Sequence, residues 1–257
     1  MTDEVLCAVA DGVATVTLNR PAKRNALNSV VLEGLSALFA RLEEDPAVRA
    51  VVVRGAGPAF CAGMDLRELG AQQQRSDDPE SPVVKVFERI ERSRHPTIAM
   101  VQGDAYAGGC ELALHCDLRV AAEVARFAMP LARLGLVVPF TLGQKMIEIV
   151  GPAFARQILF TGQPVGARRA YEMGMVHEVV PAADLEAATY DLARAIAANA
   201  PQSLRGMKAA IQRAISGREQ IEHKDLDDIA RRARRSEDAR EGVRAMLEKR
   251  APVFRGA

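Results

Sequence analysis

The 257-residue sequence contains no tryptophan, and aromatic residues make up only 4% of it. A chain so poor in aromatic rings has little with which to stack bases, which argues against a surface for single-stranded nucleic acid. An excess of one charge is lacking too: 34 basic residues stand against 33 acidic ones, for a net charge of +1. That balance offers no electrostatic footprint for nucleic acid or for an anionic membrane. No apolar run approaches the roughly 18 residues needed to span a bilayer. The opening "MTDEVLCAVADG" carries acids where a signal peptide needs basic residues, so none is expected. The four cysteines, Cys7, Cys61, Cys110 and Cys116, include no CxxC pair. A reduced cytoplasm is therefore the expected compartment. His115 and Cys116 are adjacent, but no second pair at ligand spacing accompanies them, and no metal is expected.

What remains is ordinary globular material, 49% hydrophobic and 26% charged, enough for a real core in one large domain or one domain plus an appendage. "EVLCAVADGVATVTLN" reads as a hairpin, with two alternating apolar runs flanking the turn pair Asp11-Gly12. In "SVVLEGLSALFARLEED" the residues Val31, Leu32, Leu35, Leu38, Phe39 and Leu42 recur at helical spacing, with Asn28 or Ser29 as the cap. "AVVVRG" is a short β-branched run that suits a buried strand. A helix around "VVKVFERIERSR" and a strand at "TIAMVQG" follow, with His95 before Pro96 marking the break between them. His177, in "GMVHEVV", is expected on a strand in the core. This alternation predicts an α/β fold with mostly parallel strands.

After about Ala182 the pattern becomes wholly helical. The basic run "ARRARR", residues 230 to 235, suits a solvated helix face; a salt bridge to a partner subunit or an approach to a phosphorylated ligand are the alternatives. The polar stretch from Gly70 to Pro82 follows a glycine turn and suits a lid or pocket wall.

Two segments, "VVVRGAGPAFCAGMDL" and "IAMVQGDAYAGGCEL", each run strand, glycine, irregular turn, glycine, helix start. A helix start presents free N–H groups and the positive end of a dipole, and glycine lets another molecule come close to that backbone. Two such turns can aim two donors at one oxygen, which suits a carbonyl that gains negative charge during reaction. Glu111 lies three residues after Gly108, among apolar neighbours that would raise its pKa and make it useful as an acid or base. Tight helix packing at Gly108-Gly109 and an N-terminal capping role for Glu111 are the alternatives on physics alone. Cys61 and Cys110 flank these turns without a visible activating base and read as small buried filler.

The motifs "NRPAKRNALN", "FCAGMDL", "GDAYAGGCELALHCDLRVA" and "LEKRAPVF", in this order and at these spacings, resemble the crotonase superfamily, also called enoyl-CoA hydratase/isomerase, from Val5 to Arg255. The resemblance implies a crotonase-like spiral of repeated ββα units over residues 1–195 and a helical C-terminal trimerisation region over 196–257. It implies a homotrimer or homohexamer and an acyl-CoA thioester as substrate. No cofactor is implied beyond the coenzyme A of that thioester. By the same motifs, Met64 and Gly108 would supply the two N–H donors for an enolate, and Glu111 would be the first catalytic glutamate. Arg24, Ala26, Ala62, Asp65 and Leu66 would lie along the coenzyme A, and Lys249 and Phe254 would close over it; surface charge is the plainer account of Lys249. Tyr106 would form pocket wall.

The pattern also departs from the family. The usual hydratase carries a second glutamate after a proline, and here Leu131 follows Pro130, with no acid between Glu123 and Glu148. Arg133 is the charged side chain near that place, and a surface or subunit-facing ion pair is expected for it. A positioned acid or base contributes roughly 10²–10⁴-fold, so two-glutamate water addition is in doubt. "LGLVVPF" resembles the same loop in methylmalonyl-CoA decarboxylase-like members, but Phe140 lacks their tyrosine hydroxyl and Met64 replaces their histidine. The expectation is thus an acyl-CoA enzyme of the hydratase/isomerase kind, with a malonyl-type-CoA decarboxylase or a non-catalytic acyl-CoA binder as alternatives. A dinucleotide-binding fold is disfavoured, because "GDAYAGG" is not a GxGxxG fingerprint.

Overall fold

The computed structural model of the chain describes residues 3–68, 82–216 and 224–255. It opens on the expected hairpin, with β1 (Val5–Ala10) antiparallel to β2 (Val13–Leu18). Asp11 and Gly12 have φ of 49° and 77°, the left-handed pair whose twist matches that of the flanking strands. α1 (Ser29–Glu44) is capped by Asn28, which accepts a hydrogen bond from Val31 N at 2.8 Å; Ser29 is the first helical residue. Its buried side chains are the six whose spacing predicted it.

β3 (Ala50–Gly55), α2 (Pro82–Glu91) and β4 (Thr97–Val101) follow. Then come the short β5 (Ala105–Tyr106), α3 (Gly108–Leu114), β6 (Leu118–Ala122) and β7 (Arg126–Ala128). A 3-10 turn (Pro130–Leu134) leads into α4 (Phe140–Thr161), β8 (Val165–Gly166), α5 (Ala167–Glu172) and β9 (Glu178–Val180). The main sheet has the order β1-β2-β3-β4-β6-β9 and is parallel from β2 onward. A small second sheet, β5-β7-β8, carries the chain near the second glycine turn.

Alternation along the strands divides the core in two. Val51, Val53, Ala99, Val101 and Ala121 face the larger cluster, which includes the buried faces of α1, α2 and α3. Val52, Ile98, Met100 and Val120 face the smaller cluster, which is completed by Leu185 and Ala193 of α6 (Leu185–Ala197). A strand buried on both faces reads as an unbroken apolar run, which is why "AVVVRG" announced itself. Beyond β9 no strand is found among the described residues. α7 (Pro201–Ser216), α8 (Lys224–Arg235) and α9 (Glu237–Leu247) complete the chain, and α9 packs on the 3-10 turn Pro130–Leu134.

His177 departs from expectation. It precedes β9, is exposed, and accepts a hydrogen bond on Nδ1 from Arg119 N at 3.2 Å. Val176, one residue earlier, takes the buried position instead. Arg119 is the buried cation of this region. Its guanidinium donates to the carbonyls of Met175 at 2.6 Å, Cys116 at 2.6 Å and Ala113 at 3.1 Å, tying down the C-terminal end of α3.

Asn25 holds the other approach to the site. It is 1% exposed and takes a left-handed φ of 56°, which asparagine tolerates. Its Nδ2 donates to Ala56 O at 2.9 Å and Ala59 O at 2.8 Å, while Oδ1 accepts from Arg20 N at 3.0 Å. Replacing it with alanine removes three hydrogen bonds, one buried and two part-buried, and strains the backbone. Asn25→Ala is expected to cost about 2–4 kcal/mol. Urea denaturation with an unchanged midpoint would contradict this account.

Candidate active site

The site begins with backbone. After β3 the chain crosses to Cys61 and reaches Gly63-Met64 beside Leu27. Leu27 N donates to Gly63 O and Asp65 N donates to Leu27 O, both at 2.8 Å. These bonds use the groups on either side of Met64 and leave the Met64 N–H without a partner among the described residues. The second turn is clamped to the first where Tyr106 N donates to Cys61 O at 2.9 Å. Ala107 then adopts φ 49° and ψ −120°, a costly conformation for a residue with a side chain, and α3 starts at Gly108. As the first helical residue, Gly108 has an N–H with no acceptor inside the helix. Gly63, at φ +91°, is where the turns meet: a Cβ there would lie 2.8 Å from Tyr106 O and 3.1 Å from Gly108 N. Two donors without a partner among the described residues thus line one cavity.

Glu111 projects from the first turn of α3 into the same cavity. It is 1% exposed, and neither carboxylate oxygen has a hydrogen-bond partner among the described residues. Burial pushes its pKa well above the usual carboxylate value, and the distant pull of Lys145 does not offset this. This is no capping arrangement, which would spend the carboxylate on backbone N–H groups.

One turn further along α3, His115 Nδ1 donates to Glu111 O at 2.8 Å and lies 3.9 Å from Glu111 Oε2. Burial pulls the His115 pKa down to about 4, so near neutral pH the ring is uncharged and forms no ion pair with Glu111. Its Nε2 stands 3.7 Å from Glu91 Oε2, and Lys145 Nζ reaches Glu91 at 2.5 Å and Glu148 at 2.8 Å. Sequence reasoning missed this backing cluster. The four-residue spacing of Glu111 and His115 was the available signal; Glu91, Lys145 and Glu148 arrive on α2 and α4.

The cavity has a volume of about 410 Å³, within the usual range for small-molecule sites. Met64, Gly108, Glu111, Arg24, Ala62 and Leu66 all line it, as does Tyr106, with an apolar wall that includes Phe87, Leu131, Leu134 and Leu142. Ala26 and Asp65 do not line it. They sit behind the turn as acceptors for Arg20, at 2.5 Å to Ala26 O and 3.2 Å to Asp65 Oδ2. Lys249 and Phe254 are exposed and also outside the cavity lining. Asp104, unremarked in the sequence, accepts from Arg126 at 2.8 and 3.0 Å and also pairs with Arg24 at the cavity wall. Arg126 in turn lies over the Tyr106 ring, 6.0 Å from its centroid. Arg133, expected in an ion pair, lines the cavity and has none among the described residues.

Burial pushes the Cys61 thiol up to about 12 and the Cys110 thiol well above its ordinary value, so both fit the filler role better than a nucleophilic one. Among the described residues no group of His, Cys, Asp or Glu side chains is arranged to hold a metal ion, and no helix is long and apolar enough to cross a membrane. The lid expected at Gly70 to Pro82 lies outside the described residues except for Pro82, the first residue of α2.

The family profile for enoyl-CoA hydratase/isomerase matches residues 8–257. The chain belongs to that family. A probable enoyl-CoA hydratase of Mycobacterium tuberculosis is 34% identical over 255 residues, covering 99% of each chain. Among solved structures, a methylmalonyl-CoA decarboxylase complexed with 2S-carboxypropyl-CoA matches over the full length of both chains, with a TM-score of 0.92 and 27% identity. An enoyl-CoA hydratase/isomerase from Xanthobacter autotrophicus Py2 matches over 97% of each chain, with a TM-score of 0.85 and 34% identity. The α/β architecture is therefore the crotonase fold, and membership of the enoyl-CoA hydratase/isomerase family marks the protein as an enzyme of the lyase or isomerase kind.

Proposed function

We propose that this protein processes acyl-CoA thioesters through an enolate whose oxygen is held by the N–H groups of Met64 and Gly108, with Glu111 moving the proton. The single observation that carries this is a buried carboxylate with no partner among the described residues, in the same cavity as two backbone donors with none there either. Preorganised donors act where charge develops, and the carboxylate serves the carbon next to the polarised carbonyl. In isomerisation Glu111 takes a proton from one carbon, the electron pair shifts into the enolate, and the same carboxyl returns the proton at the carbon two places away. In hydration it would act alone on water and on the α-carbon, since Leu131 and not an acid lines the wall after Pro130.

That same leucine favours a second reading, decarboxylation of a malonyl-type thioester. The carbon–carbon bond breaks, its electron pair enters the enolate, CO₂ leaves, and a proton quenches the α-carbon. No water needs activating. The oxyanion donors serve both reactions.

Coenzyme A would run along Arg24, Ala62 and Leu66, with Ala26 and Asp65 supporting the turn and Lys249 and Phe254 closing from the C-terminal side. The reading needs no other cofactor. It treats residues 1–195 as the catalytic core and 196–257 as the assembling region of a homotrimer or homohexamer. In support, Met207, Ile211 and Ile215 stand exposed at four-residue intervals on α7. The cytoplasm is the proposed compartment, supported by four unpaired cysteines.

Mass spectrometry tests the reaction. Crotonyl-, longer enoyl- and malonyl-type CoA thioesters are incubated with wild type and Glu111→Gln. Gain of one water that vanishes in the variant marks hydration, and loss of CO₂ marks decarboxylation. An unchanged mass with α-proton exchange in heavy water marks isomerisation. Binding with neither turnover nor exchange would overturn the enzyme reading in favour of an acyl-CoA binder.

A further inference from the structure

Among the described residues three arginines line the cavity: Arg24, Arg133 and Arg234. Arg24 is engaged by Asp104. Arg133 and Arg234 have no ion pair and no side-chain hydrogen bond among the described residues. Arg234 is half-buried, burial pulls its pKa down, and no counter-charge among the described residues opposes the shift. A guanidinium removed from water without an anion is a costly arrangement, and an arriving anion relieves that cost. The Arg133 stem is seated as well: a Cβ added at Gly162 would lie 3.0 Å from its Cδ and 3.2 Å from its Cγ. The stem is thus held against the end of α4, while the residue stays exposed and its charged head has no partner among the described residues.

The cavity holds little that would repel an anion. Glu111 is the only acid on its described wall, and burial favours its neutral form. Where a second acid would stand, there is Leu131, two residues before Arg133 on the same 3-10 turn. If coenzyme A runs past Arg24, Ala62 and Leu66, the acyl chain is left with the wall built by that turn and by α8, which carries Arg234.

We propose that Arg133 and Arg234 form a carboxylate subsite at the acyl end of the cavity, so that the preferred substrates are CoA monothioesters of dicarboxylic acids. This rests on the acyl-CoA reading above. A guanidinium fork matches a carboxylate in shape and charge, and a charge-assisted pair of this kind discriminates by roughly 10- to 100-fold.

Calorimetric titration tests it with pairs matched in chain length: adipoyl-CoA against hexanoyl-CoA and glutaryl-CoA against pentanoyl-CoA, with free CoA alongside. Wild type is expected to bind the carboxylate member roughly 10-fold tighter or more. In Arg133→Met and in Arg234→Met that ratio should fall towards one, while affinity for free CoA holds. A wild type with no preference overturns the subsite without recourse to variants. Variants that weaken free CoA as much as every thioester also overturn it, because the arginines would then serve the coenzyme phosphates. Either result leaves the acyl-CoA reading standing. Failure of every CoA species to bind overturns that reading and the subsite together.

Discussion

Glu111→Gln is expected to slow turnover by roughly 10²–10⁴-fold while making the protein more stable at alkaline pH. Both effects have one cause. The carboxyl is 1% exposed and has no hydrogen-bond partner among the described residues, so its folded-state pKa stands well above the value in the unfolded chain. The folded state therefore holds this proton more tightly than the unfolded state does. The resulting stability is fully present below the unfolded glutamate pKa, about 4.3, and is lost as pH rises through the raised folded value. A glutamine carries no such ionisation. Thermal melts of wild type and variant between pH 5 and 9 should diverge as pH rises, with the variant gaining. An advantage that does not grow with pH would refute this account of the site. In a reaction that starts with proton abstraction, kcat/KM should fall on the acid side with an apparent pKa above that of ordinary glutamate.

The second large effect is structural. In Gly109→Ala the new Cβ would lie 2.1 Å from Cys61 O and 2.7 Å from both Cys61 C and Cβ. Cys61 cannot retreat cheaply, because its carbonyl accepts from Tyr106 N at 2.9 Å and its N–H donates to Asp104 O at 3.1 Å. Those bonds join the two glycine turns. A loss of about 4 kcal/mol or more is expected, or failure to accumulate as folded protein. Gly108→Ala is the control. Its Cβ would meet Leu27 Cδ1 at 3.4 Å and Met64 N at 3.6 Å, both ordinary contacts. It should fold, but with a methyl group beside the Met64 donor and reduced turnover. Equal denaturation midpoints for the two alanine variants would show that the close approach at Gly109 is not what matters.

Local features were legible in the sequence because they depend on neighbours in the chain. The Asp11-Gly12 hairpin follows from turn chemistry, α1 from six apolar residues at helical spacing, and β3 from burial on both faces. The placement of Glu111 beside the two glycine turns was also legible, since Gly63-Met64 and Gly108 to Glu111 belong to motifs whose order along the chain marks the family.

Other parts of the site were settled only by contacts between distant segments. Lys145 meets Glu91, and His115 is enclosed by both their helices, which no periodicity within one helix can specify. His177 looked like a core residue from its apolar neighbours, yet the sheet edge leaves it in solvent. Lys249 and Phe254 match a motif but stay outside the cavity wall. Arg133, which stays exposed, and Arg234, which is half-buried, lie about a hundred residues apart in the chain and line one cavity. Sequence alone determined the local elements, which short-range sterics and hydrophobic spacing encode, and the family, which the order of its motifs along the chain marks. The tertiary structure alone decided which described charged groups are buried and which of them find a partner among the described residues, because desolvation depends on what packs around a group and not on what precedes it in the chain.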